Sequence, residues 1–151
     1  MDNLHVEKLS EDNSKVLMNL NKMAVGTMIE RLGIVFTEAN LICVCGEMPV
    51  DERTIQPFGF LHGGAFMALA ETLGSAGSAI GTDLDKYNVF GIEMKGNYIR
   101  SINSGKVYGK ATPLHKGKTT QLWNIDMTDI NGNLLATCRI TNIIVEKKSN
   151  E

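Results

Sequence analysis

The sequence contains little of what marks secreted, metal-binding or nucleic-acid-binding proteins. Three cysteines, three prolines and one tryptophan occur among 151 residues. So few cysteines, in an odd number, argue against a disulfide-built scaffold. A formal net charge of −2 provides no basic field to attract nucleic acid. Apolar runs are too short to cross a bilayer, and no basic region precedes an apolar stretch at the start, so we expect a cytoplasmic protein with no membrane segment.

Cys43 and Cys45 lie two positions apart, which on a strand places both side chains on one face. With only Cys138 besides them and no histidine nearby, the pair makes a poor zinc site. We therefore expect no metal, and we interpret the cysteines as small buried side chains in a reducing compartment.

The composition is that of one globular domain, with 43% hydrophobic and 21% charged residues. We divide it into an N-terminal helical segment over residues 1–32 and a main domain over residues 33–147. Apolar residues recur at helical spacing over about 10–29, and Ser10 is a candidate N-cap. A short second helical piece is expected to end near Leu32.

Residues 63–80 form the most unusual stretch, because it is rich in alanine and apolar on nearly every side. This pattern predicts a long buried helix. Gly74 and Gly77 lower its helix propensity, by about 1 kcal/mol each relative to alanine, which suggests close packing of its backbone against a sheet or a partner.

The rest of the chain alternates as antiparallel strands do. Asn40 divides an extended stretch into two halves by a turn or bulge, and we expect about five strands in the sheet. A sheet wrapped around one helix is an α+β fold whose open face another copy would cover, so a homo-oligomer is expected. The expected strands are 33–50, 89–99, 105–113, 119–129 and 134–146.

Glu71 is the one acid on the predicted helix, and Ser75 and Ser78 share its face. Such a stripe can also meet solvent or form a salt bridge across subunits. Gly63 lies at the start of the helix, where free backbone N–H groups and the helix dipole favour a developing oxyanion. Gln56 and His62 add side-chain donors nearby, although a histidine here can also be a helix cap or part of the core. Together these residues provide donors, an oxyanion glycine and a carboxylate.

Taken whole, residues 56–65 (Gln-Pro-Phe-Gly-x-x-His-Gly-Gly-Ala) and 70–75 (Ala-Glu-Thr-Leu-Gly-Ser) resemble the hotdog-fold acyl-CoA thioesterases. The resemblance is to the PaaI-like, glutamate-type branch that contains 4-hydroxybenzoyl-CoA thioesterase, 1,4-dihydroxy-2-naphthoyl-CoA hydrolase and the proofreading thioesterase of enterobactin synthesis. It extends over about 20–145 and includes 48–54, 91–93 and 97–101.

The resemblance implies a hotdog fold, in which two subunits pair their sheets and share each active site, and a tetramer built as a dimer of dimers. Glu71 matches the catalytic carboxylate, and Gly63 matches the backbone donor to the thioester oxygen. The polarising side chains Gln56 and His62 are implied to come, with Gly63, from the subunit opposite Glu71, and Ser75 matches a hydroxyl in the acyl pocket. The implied CoA contacts are Arg100, Ser101, His115, Lys116, Gly117, Lys118 and Thr119.

The expected reaction is hydrolysis of an acyl-CoA, aromatic by resemblance, with CoA as part of the substrate and no cofactor. Two alternatives stay open: a hotdog hydratase or dehydratase that uses His62 with Glu71, and a non-catalytic acyl-CoA-binding protein. Candidates for an apolar acyl pocket are Phe58, Phe60, Phe66, Met67 and Met94. These side chains can equally be part of the hydrophobic core.

Overall fold

The computed structural model describes residues 3–148, with side chains from residue 13 onward. Six strands form one antiparallel sheet in the order β1-β2-β4-β5-β6-β3, and one long helix packs against it. The expected α+β hotdog architecture is therefore confirmed. The elements are α1 Asn3–Ala24, α2 Met28–Arg31, β1 Val35–Ala39, β2 Val44–Pro49, α3 Gly63–Ile80, β3 Tyr87–Tyr98, β4 Lys106–Lys116, β5 Thr120–Thr128 and β6 Leu134–Glu146.

Helix α3 has the predicted bounds and lies against the inner face of the sheet, with half of its residues buried. A Cβ on Gly77 would lie 2.7 Å from Cη2 of the fully buried Trp123, and one on Gly74 would collide with Ile140. The predicted close packing is confirmed, and the partner is the sheet. Asn142 of β6 stabilises this contact, because its Nδ2 donates to the Gly74 carbonyl (3.1 Å) and to Ser78 Oγ (2.8 Å).

The stretch over 33–50 forms two strands joined by a turn, so the sheet has six strands rather than about five. Asn40 makes the turn, since its Oδ1 accepts from the N–H groups of Ile42 and Cys43, both at 2.8 Å. Strand β4 extends past Pro113 to Lys116 through a register shift between Pro113 and His115. The turn after β4 consequently contains fewer residues than we expected, and the Gly117 N–H donates to the Thr120 carbonyl across it.

Helix α1 begins at Asn3, earlier than expected; the side chain of Ser10 lies outside the described side chains. The helix packs on β1. Asn21 pairs with the backbone of Phe36 in both directions, donating to its carbonyl (2.9 Å) and accepting from its N–H (3.0 Å). Asn21 thereby satisfies some of the backbone hydrogen-bonding groups on the outer edge of β1. The division of the chain at residue 33 stays a prediction.

Strand β3 is the other edge of the sheet and pairs only with β6. Its register shifts between Gly91 and Glu93, which marks a bulge. Phe90 and Ile92 beside this bulge are 55% and 59% exposed. The single chain therefore presents an apolar, unpaired strand edge. Among residues 3–148, no helix has both the length and the hydropathy needed to cross a membrane.

Candidate active site

A short loop between β2 and α3 holds Gln56 in place. At its start, the Asp51 carboxylate forms an ion pair with Arg53 (2.5 Å). The hydrogen bonds that Arg53 donates in this pair lower the pKa of Asp51. Buried Thr54 donates from its hydroxyl to the Pro49 carbonyl at 2.8 Å. Gln56 N–H donates to the Phe60 carbonyl at 2.8 Å, which closes a tight turn. The loop thus orients Gln56 by hydrogen bonds at both of its ends.

The side-chain amide of Gln56 has its oxygen occupied and its nitrogen free. Oε1 accepts from the Phe58 N–H. Because a backbone N–H can only donate, this bond fixes which end of the amide is the oxygen. Nε2 makes no hydrogen bond to the described residues, so it is available as a donor.

His62 is the N-cap of α3, and its Nδ1 accepts from the Gly64 N–H at 2.8 Å. A neutral imidazole that accepts at Nδ1 carries its proton on Nε2. The capping interpretation, one of the alternatives from the sequence, is therefore what the geometry favours. The Gly63 N–H meets no acceptor among residues 3–148 and lies at the positive end of the helix dipole.

Gln56 and Gly63 line one cleft, which we call the N-terminal cleft, with a volume of about 370 Å³. Arg100 and Ser101 of the predicted CoA contacts line it too, whereas His62 and Glu71 do not. Its remaining walls are Phe60, Leu61, Phe66, Tyr98 and Ile99.

Tyr98 is a site residue that sequence reasoning did not single out. Its hydroxyl donates to the Gly63 carbonyl at 3.1 Å, and its ring packs on Phe66 with 5.7 Å between centroids. Burial raises the pKa of Tyr98, with a smaller contribution from Cys138, so the hydroxyl stays a donor. The available signal was its position beside Arg100 in the segment 97–101.

Glu71 lies two turns into α3 and is exposed to solvent in the single chain, although half of the residues of this helix are buried. Its Oε1 lies 3.5 Å from the point where a Cβ on Gly91 would be. The carboxylate is thus placed beside the bulge of the edge strand β3. Within one chain, Glu71 does not line the cleft that Gln56 and Gly63 share.

Ser75 lines a second, larger space, the helical cavity, of about 500 Å³ between α1, α3 and β3. Most of its walls are apolar, among them Leu20, Met23 and Val89. Of the expected acyl-pocket side chains, none lines this cavity; Phe60 and Phe66 line the N-terminal cleft instead, and Phe58 is 85% exposed.

The turn after β4 does not share a cleft with Arg100 in the single chain. Gly117, Lys118 and Thr119 line a separate cleft of about 480 Å³ near the end of α3. Lys116 donates to the Leu41 carbonyl at 3.3 Å and lies 5.5 Å from the Trp123 ring centroid. Its ammonium is thus engaged within the fold. The His115 ring lies against Gly117, 2.7 Å from the point where a Cβ there would be.

Comparison with known proteins gives consistent matches. The model of the family described as "Thioesterase superfamily" matches residues 58–136. Proofreading thioesterase EntH of Klebsiella pneumoniae is 44% identical over 124 residues, which are 82% of this chain and 90% of EntH. A mutant of thioesterase PA1618 of Pseudomonas aeruginosa superposes with a TM-score of 0.84 at 37% identity, covering 87% of this chain and 94% of that one.

Two mutant structures of SAV0944 from Staphylococcus aureus are similar at 36% identity. Their TM-scores are 0.78 and 0.76; they cover 80% and 78% of this chain, and 99% and 98% of their own. One carries a glutamate-to-alanine and the other a glutamine-to-alanine substitution. The two altered residues are separated in that protein by the same number of positions as Gln56 and Glu71 are here.

Proposed function

The chain belongs to the thioesterase superfamily and is a thioester hydrolase, and from that premise we propose that it hydrolyses an acyl-CoA to the free acid and CoA. The observation that carries this proposal is the pairing of two unused donors, the Gly63 N–H and the Gln56 Nε2, in one cleft at the start of α3. The equal spacing of the altered glutamine and glutamate in SAV0944 supports roles for Gln56 and Glu71.

In the proposed site, the thioester carbonyl oxygen accepts from Gly63 and Gln56. Both donors then stabilise the negative charge that develops on this oxygen, an effect worth about 2.7–4 kcal/mol per donor. His62 caps the helix and holds the Gly63–Gly64 backbone in position. Because its Nδ1 is occupied by Gly64, the ring does not offer that nitrogen as the base a hydratase would need.

We propose that Glu71 supplies the reacting carboxylate from a second copy of the chain. Glu71 does not line its own N-terminal cleft, but it lies beside the unpaired edge of β3. Antiparallel pairing of two β3 edges would cover Phe90 and Ile92 and bring Glu71 of one copy to the donors of the other. Two such dimers would then form the tetramer.

Two routes are open to the carboxylate. Glu71 can attack the carbonyl carbon, releasing CoA thiolate and leaving an anhydride that water hydrolyses. Alternatively, it can take a proton from water as that water attacks the same carbon. Both routes pass through a tetrahedral oxyanion, and both need the same donors.

We assign the remaining site residues to the two ends of the substrate, the CoA moiety and the acyl group. Arg100 and Ser101, which both line the N-terminal cleft, would bind CoA phosphates there. The turn over 115–119 would contribute Lys118 and the backbone of Gly117. The apolar helical cavity, with Ser75 on its wall, favours an uncharged acyl group such as an aromatic one.

One assay separates the three activities raised by the sequence. The protein is mixed with benzoyl-CoA or crotonyl-CoA and a thiol reagent. We expect free CoA thiol, faster from benzoyl-CoA. A hydrated crotonyl product without free thiol would identify a hydratase, and neither product would identify a binding protein. Ranking acyl-CoAs by kcat/KM then defines the acyl group.

Glu71→Gln tests the assignment of the carboxylate. The substitution preserves size but removes the nucleophile or base, so we expect kcat to fall by several orders of magnitude with KM little changed. The melting temperature should stay the same because Glu71 is exposed. Glu47→Gln is the matched control, since it removes a surface carboxylate paired with Lys106 and should keep full activity. A folded Glu71→Gln variant with nearly full activity would contradict the proposal.

A further inference from the structure

The hairpin formed by β1 and β2 brings together three side chains of the types that ligate metal ions. Cys43 and Cys45 are joined there by Glu38, and one donor atom from each residue lies within 4.8 Å of the others. Cys43 Sγ is 3.2 Å from Glu38 Oε1, and Cys45 Sγ is 3.7 Å from Glu38 Oε2. None of the three lines the clefts of the proposed active site.

These separations are close to those of a tetrahedral zinc site. With Zn–S bonds of about 2.3 Å and Zn–O bonds of about 2.1 Å, tetrahedral angles place sulfur and oxygen ligands roughly 3.6 Å apart. The two sulfur–oxygen distances lie on either side of that value, and each involves a different oxygen of the Glu38 carboxylate. Because one ligand atom from each residue lies within 4.8 Å of the others, a cation could be seated after the Glu38 carboxylate turns one oxygen toward both sulfurs.

The hairpin itself orders the ligands. Glu38 pairs with Cys45 in the register of β1 and β2, which holds their side chains together. Asn40 lies behind them: its Nδ2 donates to Glu38 Oε1 at 2.9 Å, and its Oδ1 accepts from the Cys43 N–H at 2.8 Å. Partners of this kind orient ligands in metal sites.

We propose that Glu38, Cys43 and Cys45 bind a thiophilic divalent cation of the Zn²⁺ class, with a fourth position open to water. On binding, each thiol releases its proton to solvent, and the cation is held by two thiolates and one carboxylate. Soft thiolates select this class over Mg²⁺ or Ca²⁺. Lys110 pairs with Cys45 across β2 and β4, and its positive charge offsets part of the negative charge of the ligands.

The test uses the full-length reduced protein and titrates it with Cd²⁺, which gives a thiolate-to-metal charge-transfer band, followed by competition with Zn²⁺. We expect one equivalent to bind with the intensity of two thiolates. Cys43→Ser and Cys45→Ser should each lower the band and weaken Zn²⁺ binding by at least about tenfold. Loss of a residue that only orients a metal ligand already lowers metal affinity by about this factor, and loss of the ligand itself should lower it at least as much.

Two further variants keep the test decisive. Glu38→Gln alters an exposed side chain, so it should fold, keep the band and still weaken Zn²⁺ binding. Cys138→Ala is the matched control, because Cys138 lies in the core beside Met67 Sδ (3.9 Å) and should not affect binding. The proposal is overturned if no stoichiometric binding occurs at micromolar cation, or if Cys138→Ala removes the band as Cys45→Ser does.

Discussion

Gln56 and His62 can both present a nitrogen donor, but their surroundings in the structure differ. Gln56 shares a cleft with Gly63, while His62 is committed to capping α3. We expect Gln56→Ala to lower kcat about 10²–10³-fold, as loss of an oxyanion donor does. His62→Asn should keep kcat within about tenfold of the wild-type value, because an N-cap asparagine accepts the same backbone hydrogen bond.

The measurement for this pair is kcat together with the free energy of unfolding. His62→Ala serves as the control for capping and should lose about 1 kcal/mol of stability. If His62→Asn lost as much activity as Gln56→Ala while its stability stayed unchanged, His62 would be assigned to the oxyanion site.

In the proposed site, Arg100 binds the CoA phosphates at a distance from the reacting carbon, so we expect its contribution to be to binding. Arg100→Ala is expected to raise KM with little change in kcat, because a phosphate contact is equally strong in ground and transition states. The wild-type KM should rise with salt, and the KM of the variant should depend on salt less steeply. Lys106→Ala on β4 removes a comparable positive charge outside the clefts that contain the proposed site residues. A collapse of kcat in Arg100→Ala with KM unaffected by salt would contradict the assignment.

Helix α3 is held close to the sheet by its glycines rather than by its helix propensity. Gly77→Ala gains about 1 kcal/mol of propensity, but its methyl would press on Trp123, and overpacking costs about 1–3 kcal/mol. We expect a net loss of about 1 kcal/mol in urea unfolding. Gly81→Ala, at the C-cap of the same helix, would meet Lys116 Nζ at 3.4 Å and Leu41 Cδ2 at 3.6 Å, which are ordinary contacts, and should be nearly neutral. A stabilised Gly77→Ala variant would show that the sheet yields at this contact.

If the site is shared as proposed, it is complete only when two copies of the chain associate. Glu71→Gln and Gln56→Ala are expected to be inactive alone, and co-expression should restore about one quarter of wild-type activity. Half of randomly formed dimers are mixed, and one of their two sites contains neither substitution when Glu71 and Gln56 come from different copies. If both residues acted within one chain, mixing would restore nothing. Light scattering on each preparation checks that the variants still associate; a monomer at micromolar concentration would contradict the shared site.

Much of the fold follows from local pattern. The bounds of α3 were predicted because a run of alanine and other apolar residues without a turn pair can only be a buried helix. Alternation and the Asp129–Asn133 turn predicted β6 to its last residue, and in that turn the Asp129 carboxylate accepts from the N–H of Asn133 at 2.9 Å. Over 33–50 the pattern left a bulge and a turn open, and the hydrogen bonds of Asn40 decide for the turn.

The motif over 56–75 was sufficient to predict the family, because its residue types lie on one loop and one helix whose spacing is local. The sequence left open whether His62 caps α3, and a local hydrogen bond from the Gly64 N–H decides this. Sequence alone did not predict that Tyr98 donates to the Gly63 carbonyl or that Glu38 meets both Cys43 and Cys45. Each of these depends on how elements pack and on strand register. Periodicity along a chain determines which residues share an element's face, whereas the distance between two elements is set by long-range contacts that only the tertiary structure contains.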